Sequence, residues 1–330
     1  MRALVVSNMQ ADDAHPERGS FVRDQVAALR GIEGLEVELF EFAPGAAQLA
    51  RTTLVARRTI GAAGAPSRWD VVHAHFGLAA WPALAVRARV RALTVHGTDL
   101  AHPRTRLATA AVLPRIEIVG AVSSSLAAEL PCRSARRRAQ VLPCGVDVER
   151  FRPLDRSHAR AELGLDPERP YLLFPGDPAR REKRHDRAQL LADSLGVELL
   201  TLGGIDPQRV PLWVNAANAA VVTSEREGFG LAVLEALACG VPVLATPVGI
   251  HPEALAGLGG CLCAPFELER WRAAALAHLT TRPDPEPNGH SLPHDDGGRG
   301  ERRARALQFS AEAMARRVAA TWRAALQRSG

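Results

Sequence analysis

The sequence predicts an α/β protein made of two doubly wound parallel-sheet domains facing across a cleft. Strand-like and helix-like runs alternate almost throughout, which is the βαβ rhythm of a parallel sheet. That rhythm restarts near residue 170, after a polar, proline-containing stretch. The length of 330 residues agrees, being too long for one ordinary core and sufficient for two.

In the first half, ALVVSN (3–8) is a short apolar run that ends in polar turn residues. From Ser20 to Arg30, helical spacing puts Phe21, Val22, Val26 and Leu29 on one face. LEVELFEF (35–42) alternates with period two, and DVVHAHF (70–76), ALTVHG (92–97), EIVGAVS (117–123) and QVLPCGV (140–146) read as further strands. The segment 146–165 reads as a linker and a short helix, so the boundary is expected at 155/156. In the second half YLLFPG (171–176), VELLTLGG (197–204), AAVVTSE (219–225), PVLATPVG (242–249) and GCLCAP (260–265) read as strands. Helices are expected at 183–195, 207–217, 230–239 and 266–279. The segment 281–300 is rich in Pro, Gly, Asp and His and reads as a flexible surface loop. Its His290, His294, Asp295 and Asp296 are ligand-type residues, but so flexible a tract is not read as a metal site. The last helix, Ser310 to Gln327, carries Met314, Val318, Trp322 and Ala325 on one face. It is expected to return to the first domain, giving domains 1–155, 156–310 and a returning helix in 311–330.

Composition narrows the function classes. The five cysteines (132, 144, 239, 261, 263) show no CxxC pair or Cys/His ligand spacing, which argues for a reducing compartment and against a zinc site. No run approaches the roughly 18 to 20 apolar residues of a membrane span, so a cytoplasmic protein is expected. Residues 51–138 hold 14 arginines against four acidic residues, a local charge of +10. That suits either solvated arginine or an anionic partner, including peripheral contact with the anionic inner face of a membrane. Nucleic acid is not expected, because the region has few aromatics to stack bases. The 41 basic residues include a single lysine, Lys183, a hint that a compact ammonium is needed there.

No GxGxxG follows the first strand, and neither a Walker A sequence nor a GxSxG elbow is present. The chemistry points instead to Thr223–Pro242. A strand ends there in the turn Glu225-Arg226-Glu227-Gly228-Phe229-Gly230, and a helix begins at Leu231. The two glycines let backbone approach a ligand, and the first turn of the helix offers free N–H groups and a positive dipole end to a phosphate. Glu227 stands at the carboxyl edge of the sheet, where open α/β sheets bind ligands, with Glu235 eight residues on. Carboxylates suit sugar hydroxyls because each accepts several hydrogen bonds.

The run Glu227-Gly-Phe-Gly-Leu-Ala-Val-Leu-Glu235-Ala-Leu-Ala-Cys-Gly-Val-Pro resembles the EX7E signature of family 4 retaining glycosyltransferases, which have the GT-B fold of two Rossmann-like domains. Val141–Pro153 resembles the family's PNGVD-containing linker, with Cys144 where Asn is usual. Val95-His-Gly-Thr-Asp99 and Ala121-Val-Ser-Ser resemble its strand ends. The resemblance implies a metal-independent transfer, with no cofactor, of a sugar from a nucleotide sugar to a glycan, lipid-linked or small-molecule acceptor. It implies that Glu235 binds the donor ribose and Glu227 the sugar hydroxyls. Gly228 and the backbone of Phe229, Gly230 and Leu231 would meet sugar and diphosphate. Lys183 and an arginine, Arg180 in preference to Arg181, would neutralise the leaving diphosphate, although Asp177 stands where the family's Arg normally follows the glycine. His96 would lie near donor sugar and acceptor, with Gly19, His75 and Asp99 on the acceptor side. Two alternatives share the fold: a catalytically silent sugar-nucleotide-binding subunit and a nucleotide-sugar epimerase.

Overall fold

The computed structural model describes residues 1–13, 15–59, 69–279 and 298–329. His290, His294, Asp295 and Asp296 lie outside them. The chain forms two compact units, Met1–Gly145 with Ala311–Gly330, and Val146–Ser310. The change of unit comes earlier than the linker composition suggested. Val146 donates its N–H to Phe309 at 2.9 Å, and Asn215 holds both Leu154 N–H and the Arg152 carbonyl, so 146–155 is tied into the second unit.

The first unit is a six-stranded sheet in the order β2-β1-β3-β4-β5-β6, with every pairing parallel. Its strands are β1 Arg2–Ser7, β2 Glu36–Glu41, β3 Trp69–His75, β4 Ala88–Val95, β5 Ile118–Ala121 and β6 Gln140–Val141. β4 begins before the expected residue 92, because Arg89 and Arg91 continue the period-two alternation with Ala88 and Val90. β6 is only two residues long, since Pro143 has no N–H to extend the ladder. One face of the sheet is covered by helices Ser20–Arg30 and Ala311–Arg328. Val22, Val26, Leu29, Val318 and Trp322 from these helices share one core with Val5, Val71, Val90 and Ile118 from the strands.

The second unit is a five-stranded parallel sheet in the order β11-β10-β9-β7-β8. Its strands are β7 Tyr171–Phe174, β8 Glu198–Thr201, β9 Ala219–Val222, β10 Val243–Ala245 and β11 Leu262–Cys263. Leu172, Phe174, Val221 and Leu244 pack against Leu191 and Trp271 from helices His185–Leu195 and Leu268–Leu279. The helix expected from residue 183 begins at His185 instead. Arg181–Lys183 form a single 3-10 turn, and Arg184 takes a left-handed φ of 54°.

Strand order reverses once in each sheet, between β1 and β3 and between β7 and β9. At such a reversal the loops leaving neighbouring strand ends diverge and open a crevice. Among the described residues, no helix is long and apolar enough to cross a membrane.

Candidate active site

In the second unit the reversal brings together the loops after β7 and β9. They are stitched directly: Glu225 N–H donates to the Glu182 carbonyl at 2.9 Å, and the Thr223 hydroxyl lies 3.0 and 2.8 Å from the carbonyls of Lys183 and Arg184. That anchoring fixes the backbone under Lys183. Its Nζ reaches both oxygens of Glu227, at 2.6 and 2.8 Å, and the Ser224 hydroxyl donates to Oε1 at 2.7 Å. Burial pushes the Glu227 carboxyl up, but the Lys183 ammonium and the Ser224 hydroxyl outweigh it and hold the carboxyl below its ordinary value. Lys183 and Glu227, 44 residues apart in sequence, therefore form one ion pair.

The neighbouring arginines are already engaged. Arg180 donates from Nε and Nη2 to Glu182 Oε1, at 3.0 and 2.7 Å. Arg184, not foreseen from sequence, pairs with Asp186 and Glu225, and Arg187 joins it on Glu225. Asp177 accepts from the Ala179 N–H at 2.8 Å, so the residue that stands in for the family's arginine shapes the loop.

The helix Leu231–Ala238 starts at Gly230, whose φ is 98°. Its far end is closed by cations. Arg303 donates to the Ala238 carbonyl at 2.8 Å and Arg302 to the Gly240 carbonyl at 2.8 Å, which suits the negative end of a helix. The positive end is left facing the Glu227 loop. The Phe229 carbonyl is fixed by the Ile250 N–H at 2.7 Å, and the Phe229 side chain is buried, so only the backbone of this residue can serve a ligand. Glu235 is half-buried within the helix. A further residue, His251, sits beneath Gly230, where an added Cβ would lie 2.4 Å from its Nε2. Nothing in its short-range sequence pattern announces this.

In the first unit the expected site residues behave differently from one another. His96, directly after β4, is only partly buried and lies between Phe21 and Phe76, with ring centroids 4.9 and 4.6 Å away. Its Nε2 is 3.0 Å from His75 Nδ1, and its Nδ1 is 3.9 Å from the Cys144 sulfur. Cys144, which stands where the family usually has Asn, thus lies beside His96. His75 is 1% exposed and backs His96. His73 stacks on His75 at 4.8 Å and bonds to the Thr94 hydroxyl at 2.8 Å. Burial lowers all three histidines, His75 to about 4, and mutual repulsion adds to it for His73 and His96.

Asp99 and Gly19 are also framework. Asp99 is 3% exposed and accepts from the N–H groups of Gly77, His96 and Gly97, so it buckles the loops after β3 and β4 together. Gly19 has a φ of 72° at the start of its helix, and a Cβ there would lie 2.4 Å from the Met9 carbonyl. Both residues were expected on the acceptor side, and both are taken up by backbone geometry. Among the described residues, no three His, Cys, Asp or Glu side chains are grouped to hold a metal ion.

Comparison with known proteins agrees with this layout. Residues 5–150 match the family described as Glycosyltransferase Family 4, and residues 161–286 match that described as Glycosyl transferases group 1. A D-inositol 3-phosphate glycosyltransferase of Frankia alni is 31% identical over 279 residues, covering 66% of this chain and 67% of the relative. Other relatives of that description are covered over 48% and 61% of their length, so the chain spans between about half and two thirds of them. Among solved structures, sucrose-phosphate synthase of Thermosynechococcus elongatus superposes with a TM-score of 0.70 at 20% identity, covering 98% of each chain. Anabaena HepE in complex with UDP and glucose superposes with a TM-score of 0.66 at 16% identity, covering 98% of this chain and all of that one. Two parallel doubly wound sheets, a Glu-X7-Glu helix start paired with a lone lysine, and these matches make the chain a member of the family 4 glycosyltransferases, with the GT-B fold.

Proposed function

We propose that this glycosyltransferase moves a sugar, with retention of configuration and without a metal ion, from a nucleoside-diphosphate sugar bound in the second unit. The observation that carries the reading is the Lys183–Glu227 pair at the β7/β9 reversal, beside the open start of the Leu231–Ala238 helix. Cleaving a glycosyl–phosphate bond leaves extra negative charge on the diphosphate. A fixed ammonium and helix N–H groups stabilise that charge as it develops. In this reading Lys183 passes from Glu227 to the diphosphate, and Glu227 turns to the sugar hydroxyls. Gly228 and the Phe229, Gly230 and Leu231 backbone meet sugar and diphosphate, and Glu235 takes the ribose. Arg180, half-exposed and held by Glu182, is the arginine we assign to the diphosphate, with Arg181 its neighbour in reserve.

In the first unit we place His96 against the acceptor hydroxyl, positioned by His75. The Frankia relative is named for a phosphorylated polyol, and residues 51–138 here are strongly basic. An anionic acceptor fits both, whether free or at an anionic cytoplasmic membrane surface. The test begins with a thermal-shift screen against UDP, GDP, ADP and TDP, since a tight ligand raises apparent stability. It continues with transfer and donor hydrolysis in wild type and Glu227→Ala. Equal rates in the two proteins would remove Glu227 from the site.

A further inference from the structure

His251 is fully buried, at 0% exposure, and opens the helix His251–Leu255. Its Nδ1 lies 2.8 Å from the Thr246 carbonyl. A carbonyl only accepts, so Nδ1 carries the proton of the neutral ring. Nε2 is then a lone pair, buried and without a partner. Native interiors rarely leave such an atom unsatisfied. It is aimed at the start of the Leu231–Ala238 helix, close enough that Gly230 can carry no side chain.

The charges acting most strongly on the ring are Glu227, which favours its protonation, and Lys183, which opposes it. Because those two neutralise each other in one ion pair, burial prevails and holds the imidazole below its ordinary value. Among the described residues, the helix Arg299–Leu307 sends Arg305 to the far end of the His251–Leu255 helix, onto the carbonyls of Glu253 and Ala254 at 2.8 and 3.2 Å, and two further elements pack along it. The Leu231–Ala238 helix carries Glu235, and β11 carries Cys263, a thiol that burial pushes up and keeps neutral. Glu253, on the histidine's own helix, is exposed.

We propose that His251 is a concealed member of the donor site, taking up a proton from solvent when the diphosphate of a nucleotide sugar settles over the helix start. The inference rests on the donor reading above. The free site is close to neutral, because Lys183 and Glu227 cancel. A diphosphate diester brings two negative charges to it, and its field favours imidazolium in a medium that screens poorly. Protonation also turns the orphaned Nε2 into a donor. Donor affinity should therefore rise as pH falls, and each bound donor should draw in a fraction of a proton.

The test is isothermal titration calorimetry with UDP-glucose, ADP-glucose and GDP-mannose between about pH 5.5 and pH 8, the range where histidine titrates. Running it in buffers of different ionisation enthalpy counts protons directly. These diesters do not themselves titrate in that range. For wild type, the expected result is uptake approaching one proton near the acid end and affinity gaining up to about tenfold per pH unit. His251→Asn keeps the bond to Thr246 and removes the titrating nitrogen, so uptake should vanish and the profile flatten. His251→Gln serves as the second variant should His251→Asn fail to fold. Unchanged uptake in a folded variant that still binds donor would overturn the role of His251 and leave the donor site standing. Absence of binding by any of the three nucleotide sugars to wild type would overturn both.

Discussion

Lys183 Nζ sits 2.6 and 2.8 Å from the two carboxylate oxygens of Glu227, and the two side chains are only 19% and 9% exposed. Removing either partner strands the other in a poorly solvated place. Lys183→Ala should therefore cost about 2–4 kcal/mol of stability, because an unpaired buried charge is expensive. The double variant Lys183→Ala/Glu227→Ala should recover most of that loss. Catalysis should not recover: Lys183→Ala is expected to lower turnover by about 10² or more, the usual worth of a charge contact at a leaving group. Chemical denaturation and steady-state kinetics on the three variants check both halves. A loss of turnover under about threefold would remove Lys183 from the diphosphate.

Asp99 gives a test of framework against contact. It satisfies the N–H groups of Gly77, His96 and Gly97 inside the protein. Asp99→Ala leaves them unpaired, at about 1–3 kcal/mol for each buried group that finds no water. The melting temperature should fall clearly. An unchanged melting temperature with a raised acceptor KM would mean that Asp99 touches the acceptor after all.

The buried histidines make stability depend on pH. His73, His75, His96 and His251 all bind protons less readily folded than unfolded. The unfolded chain therefore takes up more protons as pH falls below about 6.5, and stability drops there by up to about 1.4 kcal/mol per pH unit for each histidine that titrates. Asp99 works the other way, since burial raises it to about 6 and the folded state keeps its proton longer. Burial also lowers His278 and raises Glu41, and two carboxyls against five histidines leave the net slope clear. Melting temperature should fall steadily from about pH 7 to pH 5. A His73→Phe variant should show a shallower fall, and a flat wild-type profile would contradict the assignment.

Gly230 is constrained twice, by a φ of 98° and by the His251 ring. Gly230→Ala should cost about 2–4 kcal/mol and weaken donor binding. Adding His251→Ala removes the clash but leaves the unfavourable backbone, so only part of the stability should return. Complete rescue, measured by denaturant midpoints, would show that the backbone angle contributes nothing.

The sequence carried the sheets well, because Val, Leu and Ala runs such as those in β3, β7 and β9 are bounded by polar turns. It also carried the Glu227–Glu235 spacing and, through composition, the singular Lys183. It did not reveal that Lys183 and Glu227 touch, because that contact depends on strand order: β7 lies next to β9 while β8 goes to the other side. His75 and Asp99 were legible as strand-end polar residues, but their setting depends on neighbours that only the fold supplies: His73 and His96 for His75, and the N–H groups of Gly77, His96 and Gly97 for Asp99. His251 left no local trace, since its partners are a carbonyl five residues back and a glycine 21 residues back.

The helix Ala311–Arg328 has one more consequence, for how the protein is made. Trp322, fully buried, inserts beside His73 with ring centroids 5.5 Å apart, in the same core as β1, which leaves the ribosome about 300 residues earlier. The first sheet must wait through synthesis of the whole second unit before the piece that seals its underside exists. Until then its apolar floor is open to chaperones and to other nascent chains, while the second unit already has every strand and helix it needs. Of the two units, the one whose strands are made first is thus the later to close.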